Sequence, residues 1–335
     1  MGAIDWKLLT ELYRKTPIEN YFLTKNLGKN VKYSPVPKVT IRTEDYGMTI
    51  ANLGLIGDPA KPINVQNNVT EIAIDPAQIF EYDKLTEDDI FTNSNPAVLA
   101  LSGSDGVVSN KEYVRAMKIE GLKRRVQRRI EQMFAQIISE GKLSYNDGKR
   151  KYEVSFNNVT PQAYTLSSTT KIYNDLIDAT DAIRKSGFVP DMIIMSKDVE
   201  KALFDNTQVK DLIKKQEWSL ARAQMQNEDA LVRRSFEAVN LPQMYVYMGE
   251  YNDGTAKKYI PDGTLIVLSS QAFRLSYGAI VQFDVQPNGN PIMTDVLSWE
   301  KIINEGTEKA LYVMSRPLPY LINSEALKVF NVTIS

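Results

Sequence analysis

One stretch constrains this chain more than any other: Ser109 to Gly141, SNKEYVRAMKIEGLKRRVQRRIEQMFAQIISEG. It holds no proline, and Tyr113, Met117, Leu122, Val126, Ile130, Met133 and Ile137 recur at mostly three- and four-residue steps. That spacing lays one apolar stripe along a helix. Ser109 and Glu112 form a capping-box pattern at its start, and Gly141 suits the position just past its end. The pattern predicts a helix of roughly 30 residues, about 45 Å long at 1.5 Å per residue. Opposite the stripe crowd Lys118, Lys123, Arg124, Arg125, Arg128 and Arg129. A compact domain seldom holds such a rod. The sequence therefore predicts a strut in an elongated subunit, with neighbours supplying part of its environment.

The totals bound what such a chain does. Its 335 residues are 43% hydrophobic, enough for two modest cores or one elongated body. With 40 basic and 41 acidic residues the net charge is −1, so any nucleic-acid contact must come from a local patch. There is no cysteine and no histidine, which removes thiol nucleophiles, disulfides, imidazole bases and the commonest metal ligands. The carboxylate pairs Glu81–Asp83 and Asp88–Asp89 are acid–base candidates, but they lie in a polar stretch with no apolar pocket to separate their pKa values. No phosphate-binding, dinucleotide-binding or nucleophile-elbow motif is present. No catalytic, cofactor-binding or metal residue is assigned, no cofactor is expected, and the chain is not expected to be an enzyme. No apolar run is long enough to span a membrane, and the first residues lack a secretory cleavage site. Synthesis in the cytoplasm is expected.

Along the chain, residues 1–39 read as an arm that opens with a short amphipathic helix at residues 5–14 and needs another surface to lie on. Residues 40–84 read as a long β excursion. Its tip carries Gly57, Asp58, Lys61, Asn64, Asn67 and Asn68, and a two-stranded ribbon of this kind is marginal in water unless it rests on something. An acidic segment follows: Glu81, Asp83, Glu87, Asp88 and Asp89. Together with the basic helix face it suggests complementary patches that meet between copies and set register. After a hairpin signal at Asn146-Asp147-Gly148, the pattern becomes α/β. A helix is expected over Thr169–Ser186, then a strand at Met192–Met195, a helix capped by Ser196, and a charged, largely helical stretch over 207–238. A strand meander follows. Two last strands, Ala310–Ser315 and Ala326–Ile334, are joined through Pro317 and Pro319.

The C-terminal third carries a resemblance. A hairpin, then Lys258-Tyr259-Ile260-Pro261-Asp262-Gly263-Thr264, an apolar strand and Tyr277-Gly278 resemble the lambda-type major capsid protein family of tailed phages. Trp299, followed by Ala310-Leu311-Tyr312-Val313-Met314-Ser315-Arg316-Pro317-Leu318-Pro319, is similar to that family's penultimate strand and its proline-marked exit. The family often has an Asp-Pro-Asp turn before its last strand, where this chain has Asn323-Ser324-Glu325. The rest of the chain agrees in architecture rather than in letters.

The resemblance implies an α+β chain with the HK97-like capsid fold. Its parts are an N-terminal arm (1–39), an extended β-hairpin loop or E-loop (40–84), and a peripheral domain (85–164) with a spine helix at 109–141. An α/β axial domain (165–300) and return strands of the peripheral domain (301–335) complete it. It implies a major capsid subunit that self-assembles into hexamers and pentamers of an icosahedral virion shell enclosing double-stranded DNA. The partners expected are further copies of itself, a separate scaffolding protein and a portal protein, with a decoration protein left open; no membrane is involved. Assembly is expected in the bacterial host cytoplasm. The rival readings are an encapsulin-like nanocompartment, another virion component such as a tail or connector protein, and a carboxylate-dependent hydrolase. The basic cluster either contacts packaged DNA through its phosphates or pairs with a neighbour's acidic segment. Some shells of this fold cross-link a loop lysine to an asparagine; lambda-type members do without it, so Lys61 is read as an exposed, solubilising residue.

Overall fold

The structure is a computed structural model that describes residues 6–16, 21–45, 68–86, 89, 96–146, 151–156, 159–220, 231–304 and 308–335. Two short helices, α1 (Trp6–Lys15) and α2 (Phe22–Leu27), precede β1 (Val31–Tyr33) and a ribbon of β2 (Val39–Asp45) and β3 (Asn68–Ile74). Then come β4 (Ile79–Leu85), the long α3 (Pro96–Glu140) and a hairpin of β5 (Lys142–Asn146) and β6 (Lys151–Ser155). The next stretch holds β7 (Gln162–Leu166), α4 (Ile172–Lys185), β8 (Met192–Met195), α5 (Lys197–Asp205) and α6 (Thr207–Lys214). The meander runs through β9 (Trp218–Leu220), β10 (Val232–Arg234), β11 (Phe236–Ala238), β12 (Gln243–Tyr247), β13 (Glu250–Asn252), β14 (Ala256–Lys258), β15 (Thr264–Leu268) and β16 (Phe273–Tyr277). It closes with β17 (Leu297–Ile303), β18 (Glu308–Ser315), β19 (Pro317–Leu321) and β20 (Leu327–Ile334).

A six-stranded sheet in the order β10-β12-β8-β15-β20-β7 divides the molecule. Side chains alternate across a strand, and here each face feeds a different core. Met192 and Ile194 of β8, with Ile266 and Leu268 of β15, join the core built on α3. Ile193 and Met195, with Leu265 and Val267, join the core under α4, α5 and α6. A strand buried on both faces reads as an unbroken apolar run, which is why Met192–Met195 looks so plain in the sequence. On the other side of α3, β17, β18 and β4 form a three-stranded antiparallel sheet whose Leu311 and Val313 pack into the α3 core.

Several expectations need correction. The long helix starts at Pro96, not Ser109; Ser109 and Glu112 lie inside it, and the start is a proline whose fixed φ and missing N–H suit a first helical turn. The helix expected over 207–238 stops at Lys214, and Gln216 turns left-handed at φ 62°. Trp218 and Phe236 then meet at 5.3 Å in the second core, where β9 and β11 pair, so burial overrides a charged, helix-like composition. The ribbon is β2–β3 alone, since β4 pairs with β18. Pro317 and Pro319 sit in β19, at the edge of a sheet ordered β1-β16-β19, where missing donors are tolerated. The last strand, β20, lies in the six-stranded sheet between β15 and β7, apart from β18. Ser196 stands at the start of α5, but its hydroxyl accepts from the Thr264 N–H instead of capping that helix.

Candidate functional site

The acidic segment and the basic helix face, expected to meet between copies, meet inside this chain. Antiparallel pairing of β4 with β18 lays β4 beside α3. Lys118 Nζ lies 3.3 Å from Asp83 and 3.0 Å from Asp89, and also donates to the Lys84 carbonyl. Burial raises the Asp89 carboxyl, but the Thr86 N–H and hydroxyl together with Lys118 outweigh it and hold the group below its ordinary value. Arg125 approaches Glu81 at 3.6 Å. Glu87 and Asp88, and the loop-tip residues Gly57, Asp58, Lys61, Asn64 and Asn67, lie outside the described residues. Asn68 opens β3 and pairs with Asp45.

The basic residues divide by role. Arg124 pairs with Glu120 one turn back and stays half exposed. Arg128 donates to the Tyr21 hydroxyl at 3.0 Å, and Arg129 lies over the Tyr145 ring and reaches Asp253 at 4.0 Å. Lys123 does not belong to the exposed face. It is buried beside the Tyr13 ring and donates to the carbonyls of Arg14 and Thr16 at 3.0 and 2.8 Å. Burial lowers its pKa.

Glu131, farther along α3 and fully buried, was not singled out by the sequence. Its carboxylate accepts from the backbone N–H groups of Leu23 and Thr24, both at 2.8 Å, from the Thr24 hydroxyl at 2.7 Å and from the Tyr247 hydroxyl at 2.7 Å. It thus caps the first turn of α2 from outside that helix, where free N–H groups favour an anion, and it ties α2 to β12 of the six-stranded sheet. A second buried pair, Arg115 with Glu300 at 2.6 Å, fixes α3 to β17.

The outer face of the β17-β18-β4 sheet is aromatic. Trp299, Tyr312 and Phe80 stack with ring centroids 5.2–5.9 Å apart, and Tyr82 leans on Tyr312 at 5.3 Å. Phe80 and Tyr82 remain about half exposed, at 48% and 51%. The two edges of this sheet differ. On β17, the Thr10 hydroxyl of α1 accepts from the Ser298 N–H and donates to the Ser298 carbonyl, which closes the edge. On β4, Lys118 donates to the Lys84 carbonyl. Beside the start of β4 runs a groove of about 190 Å³. Its walls are residues 77–81 and Leu143–Tyr145, and its floor is Arg129, Gln132 and Met133 of α3. Among the described residues no cluster of acidic side chains has the arrangement of a metal site, and no helix is long and apolar enough to cross a membrane.

Comparison with known proteins places this architecture. The profile of the phage major capsid protein E family matches residues 5–328. Among solved structures, a protein described as the capsid protein of an Escherichia coli CFT073 prophage superposes with a TM-score of 0.70. The match covers 99% of this chain and 100% of that one at 14% identity. A phage-related protein from Bordetella bronchiseptica RB50 superposes with a TM-score of 0.56 at 12% identity, covering 99% and 98% of the two chains. No curated protein sequence matches. Because the family profile spans nearly the whole chain, from the arm helix to the last strand, the chain belongs to the phage major capsid protein E family.

Proposed function

We propose that this major capsid protein builds an icosahedral shell of hexamers and pentamers around the double-stranded DNA of a tailed phage, through contacts between copies rather than through catalysis. The observation that carries the reading is an unfinished subunit: among the described residues, the ribbon β2–β3 stands as a separate two-stranded sheet, and no strand pairs with the outer edge of β4. Elements of this kind are marginal in isolation and gain their stability when further copies cover them.

In this reading α3 with the β17-β18-β4 sheet is the peripheral body, and the six-stranded sheet with α4, α5 and α6 is the axial body. The ribbon is the loop that reaches a neighbour. Arg124, Arg125, Arg128 and Arg129 form the basic face turned toward DNA or toward another copy. A separate scaffolding protein guides closure, and a portal occupies one vertex. Assembly takes place in the host cytoplasm.

Expression of the chain alone and with candidate scaffolding proteins, followed by sedimentation and negative-stain imaging, tests this. Closed, thin-walled particles of uniform diameter are expected. Tubes or single rings would favour a tail or connector protein, and a monomer under every condition would count against any shell.

A further inference from the structure

We infer that double-stranded DNA meets this chain on its N-terminal segment, through Lys25, Lys29, Lys32 and Lys38, and not on the arginine face of α3. This rests on the shell reading above and names the surface that touches the enclosed polyanion.

The two basic surfaces differ in what already neutralises them. On α3, Arg124 pairs with Glu120, Arg125 lies 3.6 Å from Glu81, and Arg129 lies 4.0 Å from Asp253. Lys118 is held by Asp83 and Asp89, and Lys123 is buried on two carbonyls. Cations set beside carboxylates present little net field to an incoming anion.

Residues 21–43 contain Lys25, Lys29, Lys32, Lys38 and Arg42, and neither aspartate nor glutamate. The fold turns the four lysines outward. In α2, Phe22, Leu23 and Leu27 are buried in the α3 core, which leaves Lys25 on the exposed side. Lys29 is exposed in the link after α2, and Lys32 in β1, whose three residues are all exposed. The strand beside β1 sets Leu275, Ser276 and Tyr277 against it, none of them charged. Lys38 is exposed just before the ribbon. Among the described residues none of these four lysines forms an ion pair or a side-chain hydrogen bond. Two acidic groups lie close, and both are engaged. Glu131, under α2, accepts four hydrogen bonds, and Asp295, near Tyr33, is paired with Arg14. Asp75 follows Ile74, the partner of Val39, and makes no ion pair with Lys38. Arg128 donates to the Tyr21 hydroxyl, one turn before Lys25, and extends the positive surface onto α3.

Like charges gathered on one segment repel one another, and an anion that bridges them removes that cost. The chemistry of the cation narrows the anion. Lysine is a compact point charge, whereas the arginine fork suits bidentate recognition. Four outward lysines therefore fit sequence-independent attraction to a phosphate backbone, which is what a duplex presents along its whole length.

The test titrates the full-length chain into a labelled duplex of arbitrary sequence across a salt series, with binding read by fluorescence anisotropy. Each phosphate contact contributes roughly 0.9 to the fall of log K with log salt. Lys25→Gln, Lys29→Gln, Lys32→Gln and Lys38→Gln together should make that slope shallower by about 3, whereas Arg124→Gln with Arg125→Gln should change it by less than ~1. Circular dichroism checks the fold. If the quadruple variant misfolds, the pairs Lys25→Gln/Lys29→Gln and Lys32→Gln/Lys38→Gln are each expected to show about half the effect. Folded lysine variants with the parental slope overturn the inference. So does a parent that binds no duplex, or an arginine variant that loses as much slope as the quadruple one. Lysine variants that keep the slope but no longer assemble with a scaffolding protein would assign this surface to an acidic protein, and that also overturns it. Particle formation is read separately. A parent that assembles while the lysine variants keep its slope leaves the shell reading standing without this surface. A parent that binds through the lysines but never assembles removes the shell reading and leaves the surface.

Discussion

Lys123 and Glu131 stand about two turns apart on α3 and grip the N-terminal chain with opposite charges. Lys123 meets the carbonyl end of α1, through Arg14 and Thr16, and Glu131 meets the N–H end of α2, through Leu23 and Thr24. Each charge complements the helix dipole it faces. The N-terminal helices are thereby fixed to the long helix, and Tyr247 carries the attachment on to the six-stranded sheet.

Removing the anion should loosen this junction. Glu131→Ala strands two backbone N–H groups and two hydroxyls in a buried site, at a cost of about 2–3 kcal/mol. Urea unfolding of the monomer measures it. Lys123→Met, which keeps the aliphatic contact with Tyr13, should cost less than Glu131→Ala. The reverse order would mean that α1 rather than α2 carries the attachment.

The same carboxylate gives stability a pH dependence. Burial pushes the Glu131 carboxyl up, while the Tyr247 hydroxyl, the Leu23 N–H and Thr24 pull it partly back. Between the ordinary glutamate value and the raised native one, the folded chain keeps a proton that the unfolded chain has lost. This contribution is full below the ordinary value and disappears as pH rises through the native one. The stability of the parent minus that of Glu131→Gln should therefore fall with rising pH across that window. A flat difference would show that the native carboxyl titrates like a free one.

The Arg115–Glu300 pair is nearly inaccessible, with 9% and 2% of the two side chains exposed. Arg115→Met should cost about 3 kcal/mol, near the lower bound for an orphaned buried charge, because Lys309 stands 3.8 Å from Glu300. Adding Glu300→Leu should restore most of the loss. Denaturant midpoints of the single and double variants decide it, and strictly additive losses would contradict the pairing.

Gly141 ends α3 at φ 69°, and a Cβ there would sit 2.5 Å from the Val159 carbonyl oxygen. Gly187, also left-handed at φ 86°, has open space around it. Gly141→Ala should thus lower the melting temperature clearly more than Gly187→Ala, whose cost is set by backbone strain of about 1 kcal/mol. Equal shifts would mean that the turn at Val159 yields.

Much of this was legible in the sequence because it rests on local pattern. Most of the α3 stripe, from Leu122 to Ile137, the Met192–Met195 strand, the Gly141 stop and the final strand announce themselves through periodicity and turn chemistry, whereas Met117, placed in the stripe by its spacing, is exposed. The N-terminal extension of α3 to Pro96 was not legible, since Gly103 and Gly106 and the nearby serines weaken helix propensity there. The cluster Lys123–Arg129 shows why charge alone misleads. Nothing local distinguishes Lys123, which turns inward to carbonyls, from Arg124, which stays outside; only the path of α1 does. Glu131 was hidden for the same reason, because its partners lie about a hundred positions away along the chain. Phe80 and Tyr82 were not singled out either, because their partners Trp299 and Tyr312 come from the other end of the chain.

The most direct test is a cryo-EM reconstruction of the particles this chain forms. The account predicts a closed icosahedral shell in which the β2–β3 ribbon of each subunit reaches over a neighbouring copy. A chain that stays monomeric with its ribbon folded back on its own body would contradict it.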